Sequence, residues 1–158
     1  CDDGIQNGDE TTIDGGGYCL RSPKDTCRRA EEVVLERISL GDPHLGDYFA
    51  TDNLAGAGSD RTASCGAPGG DHAYRFVLTE RSQLNFYVAP LDPAGRIDST
   101  RPVTLSVTRD CSGPEVACVA GPGLTQTNRL LDPGIYILWV NDQGAGGDYE
   151  IGVNGSVR

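Results

Sequence analysis

Three stretches of period-two alternation decide what this chain can fold into. From Ala73 to Thr79, Tyr74, Phe76 and Leu78 alternate with Arg75 and Thr79. From Gln83 to Val88, Leu84, Phe86 and Val88 alternate with Gln83, Asn85 and Tyr87. From Val103 to Thr108, Val103, Leu105 and Val107 alternate with Thr104, Ser106 and Thr108. Successive strand side chains point to opposite faces, so each stretch predicts a strand with one buried and one wet face. Ile135 to Val140 is apolar at every position and predicts a central strand covered on both faces. Shorter strands are expected near Tyr48–Thr51, Glu115–Val119, Thr127–Leu131 and Tyr149–Val153, the last with Tyr149, Ile151 and Val153 inward. The run from Arg28 to Arg37 favours a helical turn by propensity, while Val33 to Leu40 suits a first strand equally well. Residues 41–72 are rich in Gly, Asp, Ala, Ser and Pro and read mainly as loops. About eight short strands with Gly/Pro turns and no long helix predict an all-β fold, an antiparallel β-sandwich. Trp139 and the Phe and Tyr residues are expected to dominate its core.

The first nineteen residues cannot build a packed core by themselves. They hold five carboxylates, one Asn, five Gly and no base. Carboxylates crowded this closely repel each other unless a cation sits among them. A hard ion such as Ca²⁺ takes six to eight oxygens from a flexible loop. Asp3, Asn7, Gly8 and Asp14 fall at the spacing of an EF-hand loop begun at Asp3, although Ile5 stands where a third acid belongs. The expected ligands are Asp3, Asn7, Asp9, Glu10 and Asp14. A cysteine at each end, Cys1 and Cys19, could close the loop covalently. Two weaker cation candidates are the loop Asn141–Asp148 and the group Asp42, Asp47, Asp52 and Asn53.

Six cysteines, widely spread and with no C-x-x-C pair, predict three disulfides and an oxidising compartment rather than a zinc site. No Met occurs at any position, the first included, which leads us to expect a processed product or an excised region. A lipid on Cys1 is a further alternative. The longest apolar run is too short to span a bilayer. The net charge is −10, and the 18 acids beyond the first 14 residues face 13 bases. Such a surface repels phosphate backbones, so nucleic acid is not an expected partner.

The chain carries no G-x-S-x-G elbow and no H-E-x-x-H motif. His44 and His72 read as exposed loop histidines, and Glu31, Glu32 and Glu36 as a solvated face. Asn154-Gly155-Ser156 is an N-glycosylation sequon.

Two resemblances add to this reading. "DGIQNGDETTIDGGGYC" (Asp3 to Cys19) resembles a Cys-rich motif of bacterial secreted and surface proteins, with Gly15 in place of a middle Cys. That departure favours a Cys1–Cys19 pair. "DTC" (Asp25–Cys27), "SCGAPGGDHAYRFVLTE" (Ser64–Glu80), "LLDPGIYILWV" (Leu130–Val140) and "GGDYEIGV" (Gly146–Val153) together resemble the bacterial pre-peptidase C-terminal domain. That resemblance implies a jelly-roll-like sandwich that is not an enzyme, appended to secreted proteins. Some members bind calcium near their start, and some bind collagen or other polymers. It also suggests the pairs Cys27–Cys65 and Cys111–Cys118.

The expectation is therefore an acidic calcium loop at 1–20, a linker at 21–26 and a sandwich at 27–158. The whole is expected to be a non-catalytic extracellular, cell-surface or periplasmic module that attaches to a protein or polysaccharide partner. Tyr87 and Tyr48 are the candidate contact residues. The alternatives are a structural subunit of a surface complex or filament, and a carbohydrate-binding module carrying a planar row of exposed aromatics.

Overall fold

The computed structural model of the chain describes residues 27–35, 43–59, 61–143 and 146–158. The acidic segment lies outside the described residues, with its expected ligands Asp3, Asn7, Asp9, Glu10 and Asp14 and its cysteines Cys1 and Cys19. So do the linker at 21–26, Glu36 and Asp42.

A 3₁₀ turn at Cys27–Arg29 leads into nine strands among the described residues. They are Glu31–Val33 (β1), His44–Asn53 (β2), Gly70–Leu78 (β3), Ser82–Pro90 (β4), Pro102–Arg109 (β5), Glu115–Pro122 (β6), Thr125–Leu131 (β7), Gly134–Asp142 (β8) and Asp148–Val157 (β9). One sheet has the order β1-β3-β8-β5-β6 and the other β2-β9-β4-β7. All pairs are antiparallel except β1 with β3. The fold is the expected sandwich.

Parity along each strand sets the core. Tyr74, Phe76 and Leu78 of β3 face Leu84, Phe86 and Val88 of β4 within one cluster, which Val103, Leu105 and Val107 of β5 and Tyr149, Ile151 and Val153 of β9 complete. None of these twelve is more than 5% exposed. Phe76 stacks on Tyr136 at 5.4 Å between ring centres, and Phe86 meets Phe76 from the other sheet at 5.6 Å. Truncating either Phe to Ala costs about 3–5 kcal/mol.

The central, doubly covered strand is β8. Its parity sends Tyr136, Leu138 and Val140 inward, and therefore turns Ile137 and Trp139 outward. Trp139 is thus not part of the main core. It is buried on the outer face of the five-stranded sheet, in a second cluster with Ala73, Ile137, Cys27 and Ala30. Its indole N–H donates to Thr108 Oγ1 at 3.2 Å, and the Arg61 guanidinium lies over its ring at 5.9 Å.

Two disulfides hold that cover down, and both differ from the pairing the family resemblance implied. The bonds are Cys27–Cys111 and Cys65–Cys118. Cys111 lies in the turn that joins β5 to β6, whereas Cys118 is the fourth residue of β6. At about 3.3 Å per strand residue these two are carried too far apart to bond each other. Each instead reaches a covering segment: Cys111 the 3₁₀ turn, Cys118 the loop before β3. The early chain settles similarly, with Glu31–Val33 a short strand on the β3 edge rather than a longer one from Val33.

Loop-closure entropy for separations of 84 and 53 residues predicts about 4 kcal/mol for each bond. Reduction is expected to lower the melting temperature and to shift the emission of the chain's single Trp to the red as its cover loosens. Unchanged emission and melting after full reduction would remove this account of the cover.

Candidate functional site

The two outer sheet faces differ. On the five-stranded sheet, the 3₁₀ turn and the loop before β3 lie over Trp139 and Ile137, and Thr104, Ser106 and Thr108 of β5 are at most 1% exposed. On the four-stranded sheet, no described segment lies across the outer face. Register builds that face in rungs. His44, Ser156, Gln83 and Leu130 form one. Asn154, Asn85 and Asn128 stand side by side on β9, β4 and β7 in the next. Phe49, Gly152, Tyr87 and Gln126 follow, then Thr51, Glu150 and Ala89.

Gly152 shapes the centre. A Cβ there would lie 2.1 Å from Tyr87 Cε1, so the Tyr87 ring lies flat over the glycine and meets Phe49 at 6.2 Å. An aromatic ring laid over a strand glycine restores the contact the missing side chain forgoes. Tyr87 Oη donates to Glu150 Oε1 at 2.9 Å. Burial, then the Glu150 hydrogen bond and the Glu150 and Asp47 charges, pushes the Tyr87 phenol up to about 12. Phe49 is 57% exposed. Beside the ring pair lies a depression of about 420 Å³ lined mainly by His44, Asp47, Gln83, Asn85, Asn128 and Asn154. Among the described residues, no hydrogen bond engages the amides of Gln83, Asn85, Gln126, Asn128 or Asn154.

A second polar group lies between the sheets. His72, expected as an exposed loop histidine, is fully buried on β3. Its Nδ1 lies 2.8 Å from Tyr149 Oη and 3.4 Å from Asp52 Oδ2. Tyr149 Oη also bonds Tyr74 Oη, and Tyr48 donates to Glu31 across the sandwich margin. Burial drives the Tyr149, Tyr74 and Tyr48 phenols far upward, with Glu31 and Asp52 adding to it. They therefore remain O–H donors, and this seam links the sheets as structure rather than facing a ligand.

The expected site residues divide accordingly. Tyr87 is on the bare face, while Tyr48 points into the seam. Of the weaker cation candidates, Asp142 is buried with its carboxylate 3.3 Å from Arg101 Nε. Asp148 accepts from Asn53 Nδ2 at 2.6 Å. Asp47 and Asp52 diverge, one to the depression and one to the seam. Among the described residues no three His, Cys, Asp or Glu side chains gather to hold a metal ion. Glu31 and Glu32 are not a plain solvated face, since Glu31 accepts from Tyr48 and Glu32 pairs with Arg75 at 2.8 Å. Phe49, Asn128 and Asn154 were not foreseen as site residues. The sequon asparagine, Asn154, lies on the bare face.

In backbone the chain is similar to the pre-peptidase C-terminal domain of a Bacillus anthracis collagenase: 17% identity over 78% of this chain and 93% of that one, TM-score 0.52. That likeness is one of fold, and on fold it agrees with the sequence resemblance. A Yersinia pseudotuberculosis-derived mitogen (11% identity; 72% and 86% coverage; TM-score 0.44) and a Sulfurospirillum deleyianum protein (11%; 72% and 98%; 0.41) are more distant. No family model and no curated protein matches the sequence. Among the described residues no helix is long and apolar enough to cross a membrane.

Phenols raised above their unfolded value of about 10 stabilise the fold below that pH and lose the contribution as pH climbs through the folded value. Of six tyrosines, Tyr48, Tyr74, Tyr87, Tyr136 and Tyr149 are all shifted upward. Ultraviolet titration should therefore show far less phenolate at pH 10 than the unfolded chain shows, with alkaline unfolding as the later tyrosines ionise. Gly152→Val should lift the Tyr87 ring, break its bond to Glu150 and bring its titration back toward 10. Normal tyrosine titration in the wild type, or an unmoved Tyr87 in the variant, would contradict this geometry.

Proposed function

We propose that this chain is a non-catalytic attachment module of an exported assembly, working through the outer face of its four-stranded sheet. The observation that supports the reading most is the contrast between the two outer faces. One is roofed by chain and stapled by two disulfides. The other leaves an exposed Phe and a row of unpaired amides open to solvent. Exposed aromatic and amide groups in a cluster are the chemistry of a binding surface rather than of a solvated sheet. The disulfides fit an oxidising, extracellular setting.

The reading includes a calcium ion held by the N-terminal segment. Its donor set, the oxygens of Asp3, Asn7, Asp9, Glu10 and Asp14, is the hard kind that Ca²⁺ selects. Among the described residues no three His, Cys, Asp or Glu side chains gather as an alternative site. Bound by the N-terminal segment, the ion would neutralise the carboxylates and fix the segment against the sandwich.

Two measurements test this. Calcium titrated into chelator-treated protein should release heat and raise the melting temperature, by about 2.7 kcal/mol of stabilisation at a hundredfold excess over Kd. Asp9→Ala with Asp14→Ala should abolish both, and no heat from the wild type would end the calcium part. Separately, retention on isolated bacterial envelope material should fall in Phe49→Ala and Tyr87→Ala and persist in Val77→Ala, which lies on the opposite sheet. Equal retention of all three variants would end the attachment part.

A further inference from the structure

The amide rung and the depression beside it say what kind of partner the bare face takes. We infer that the face binds a neutral, soluble glycan chain, lying across β9, β4 and β7 with one sugar against the Phe49–Tyr87 ring pair. This rests on the reading of that face as the attachment surface.

Three features carry it. First, charge: the depression is lined by one carboxylate, Asp47, and one histidine, His44, and otherwise by un-ionised groups, with no Lys or Arg. A polyanion finds no counter-charge there, and the chain's net charge of −10 opposes it further. A neutral ligand dense in hydroxyls is the complement. Second, hydrogen-bond capacity: each Asn amide offers two donors and an acceptor. Asn154, Asn85 and Asn128 repeat at the strand spacing of roughly 4.8 Å, comparable to one sugar residue of an extended chain. Third, backbone: β9 and β4 are interior strands whose N–H and C=O groups are paired on both sides. A peptide cannot add to them as a strand, so on these two strands only side chains do the recognising.

The aromatics narrow the class. A crystalline polymer face needs coplanar rings in a row. Here two rings are inclined at 47° to each other, and the expected planar row is not present among the described residues. A single chain can seat one sugar on such a pair and its neighbours in the amide depression. The depression's 420 Å³ falls within the roughly 300–1,000 Å³ of small-molecule sites.

The test is native electrophoresis through gels containing soluble β-glucan, galactomannan, pullulan or, as the polyanion, alginate, with sedimentation on crystalline cellulose alongside. At least one neutral polysaccharide should retard the wild type, with little change on adding salt, while alginate and cellulose should not. Asn85→Ala, Asn128→Ala and Tyr87→Ala should each weaken retardation about tenfold or more, with Trp139 emission and melting confirming that they fold. Val77→Ala should leave it intact.

No retardation by any neutral polysaccharide, or retardation that survives loss of Asn85 and Asn128, overturns the inference. If the Phe49- and Tyr87-dependent envelope retention persists on a protein fraction, the glycan class falls and the attachment reading stands. If no envelope retention is seen either, both fall. Concentration-dependent dimerisation that Asn128→Arg abolishes would seat a second copy on this face, and would overturn it as well.

Discussion

The domain depends on keeping β8 dry on both sides. A strand with Tyr136, Leu138 and Val140 on one face and Ile137 and Trp139 on the other needs a partner layer in each direction. The opposite sheet supplies the first. The second must come from irregular chain, which has little intrinsic reason to stay folded over a flat surface. Loop order costs roughly 1–2 kcal/mol per residue in backbone entropy. The two disulfides offset that by limiting how far the covering segments stray when the chain unfolds. Both land on the β5–β6 hairpin at that sheet's far edge.

That arrangement explains why the two faces differ. With the irregular chain committed to one sheet, the other keeps its outer surface clear. The polar seam and the end loops then hold the sandwich shut without crossing the bare face. At one margin Tyr48–Glu31 and Tyr74–Tyr149–His72 bridge the sheets. At the end of the sandwich Arg101 joins three segments, donating to the Leu91 and Asp148 carbonyls and pairing with buried Asp142. Removing one partner of such a buried pair strands the other charge, so this clip is a point of rigidity more than a source of net stability.

Much of the sandwich was legible in the sequence because period-two alternation is a local signal. β3, β4 and β9 kept the faces their patterns predicted; β5 kept its inward face, but Thr104, Ser106 and Thr108, expected to be wet, are buried on the covered side of the sheet. Trp139 was misplaced because a strand apolar at every position does not say which parity faces the other sheet. β2 was read as four residues instead of ten because a bulge between Leu45 and Tyr48 breaks its alternation: both point inward though three apart. His72 was taken for a loop residue because Gly70 and Asp71 before it resemble a turn, yet β8 pairs with all three. The cysteine pairs depend on where a hairpin turn falls in three dimensions, which no spacing reveals. Gln83, Asn85 and Tyr87 could be read as a wet face. That Asn128 and Asn154 align with Asn85 is a fact of register between strands 26 to 69 residues apart in sequence, outside the reach of local pattern.

An acidic chain carrying a neutral binding face has a kinetic consequence. Charge steering acts over about a Debye length, near 8 Å at physiological ionic strength, and here it can only push polyanions away. Attraction must come from contacts made at the surface: ring stacking, amide hydrogen bonds and release of water from Phe49. Each hydrogen bond replaces one to water and yields roughly 0.5–1.5 kcal/mol net, so a single face of this kind binds modestly and releases quickly. Firm attachment would then come from repetition, several modules engaging one polymer at high effective concentration. A stiff junction between modules raises that effective concentration only if it points the faces the same way.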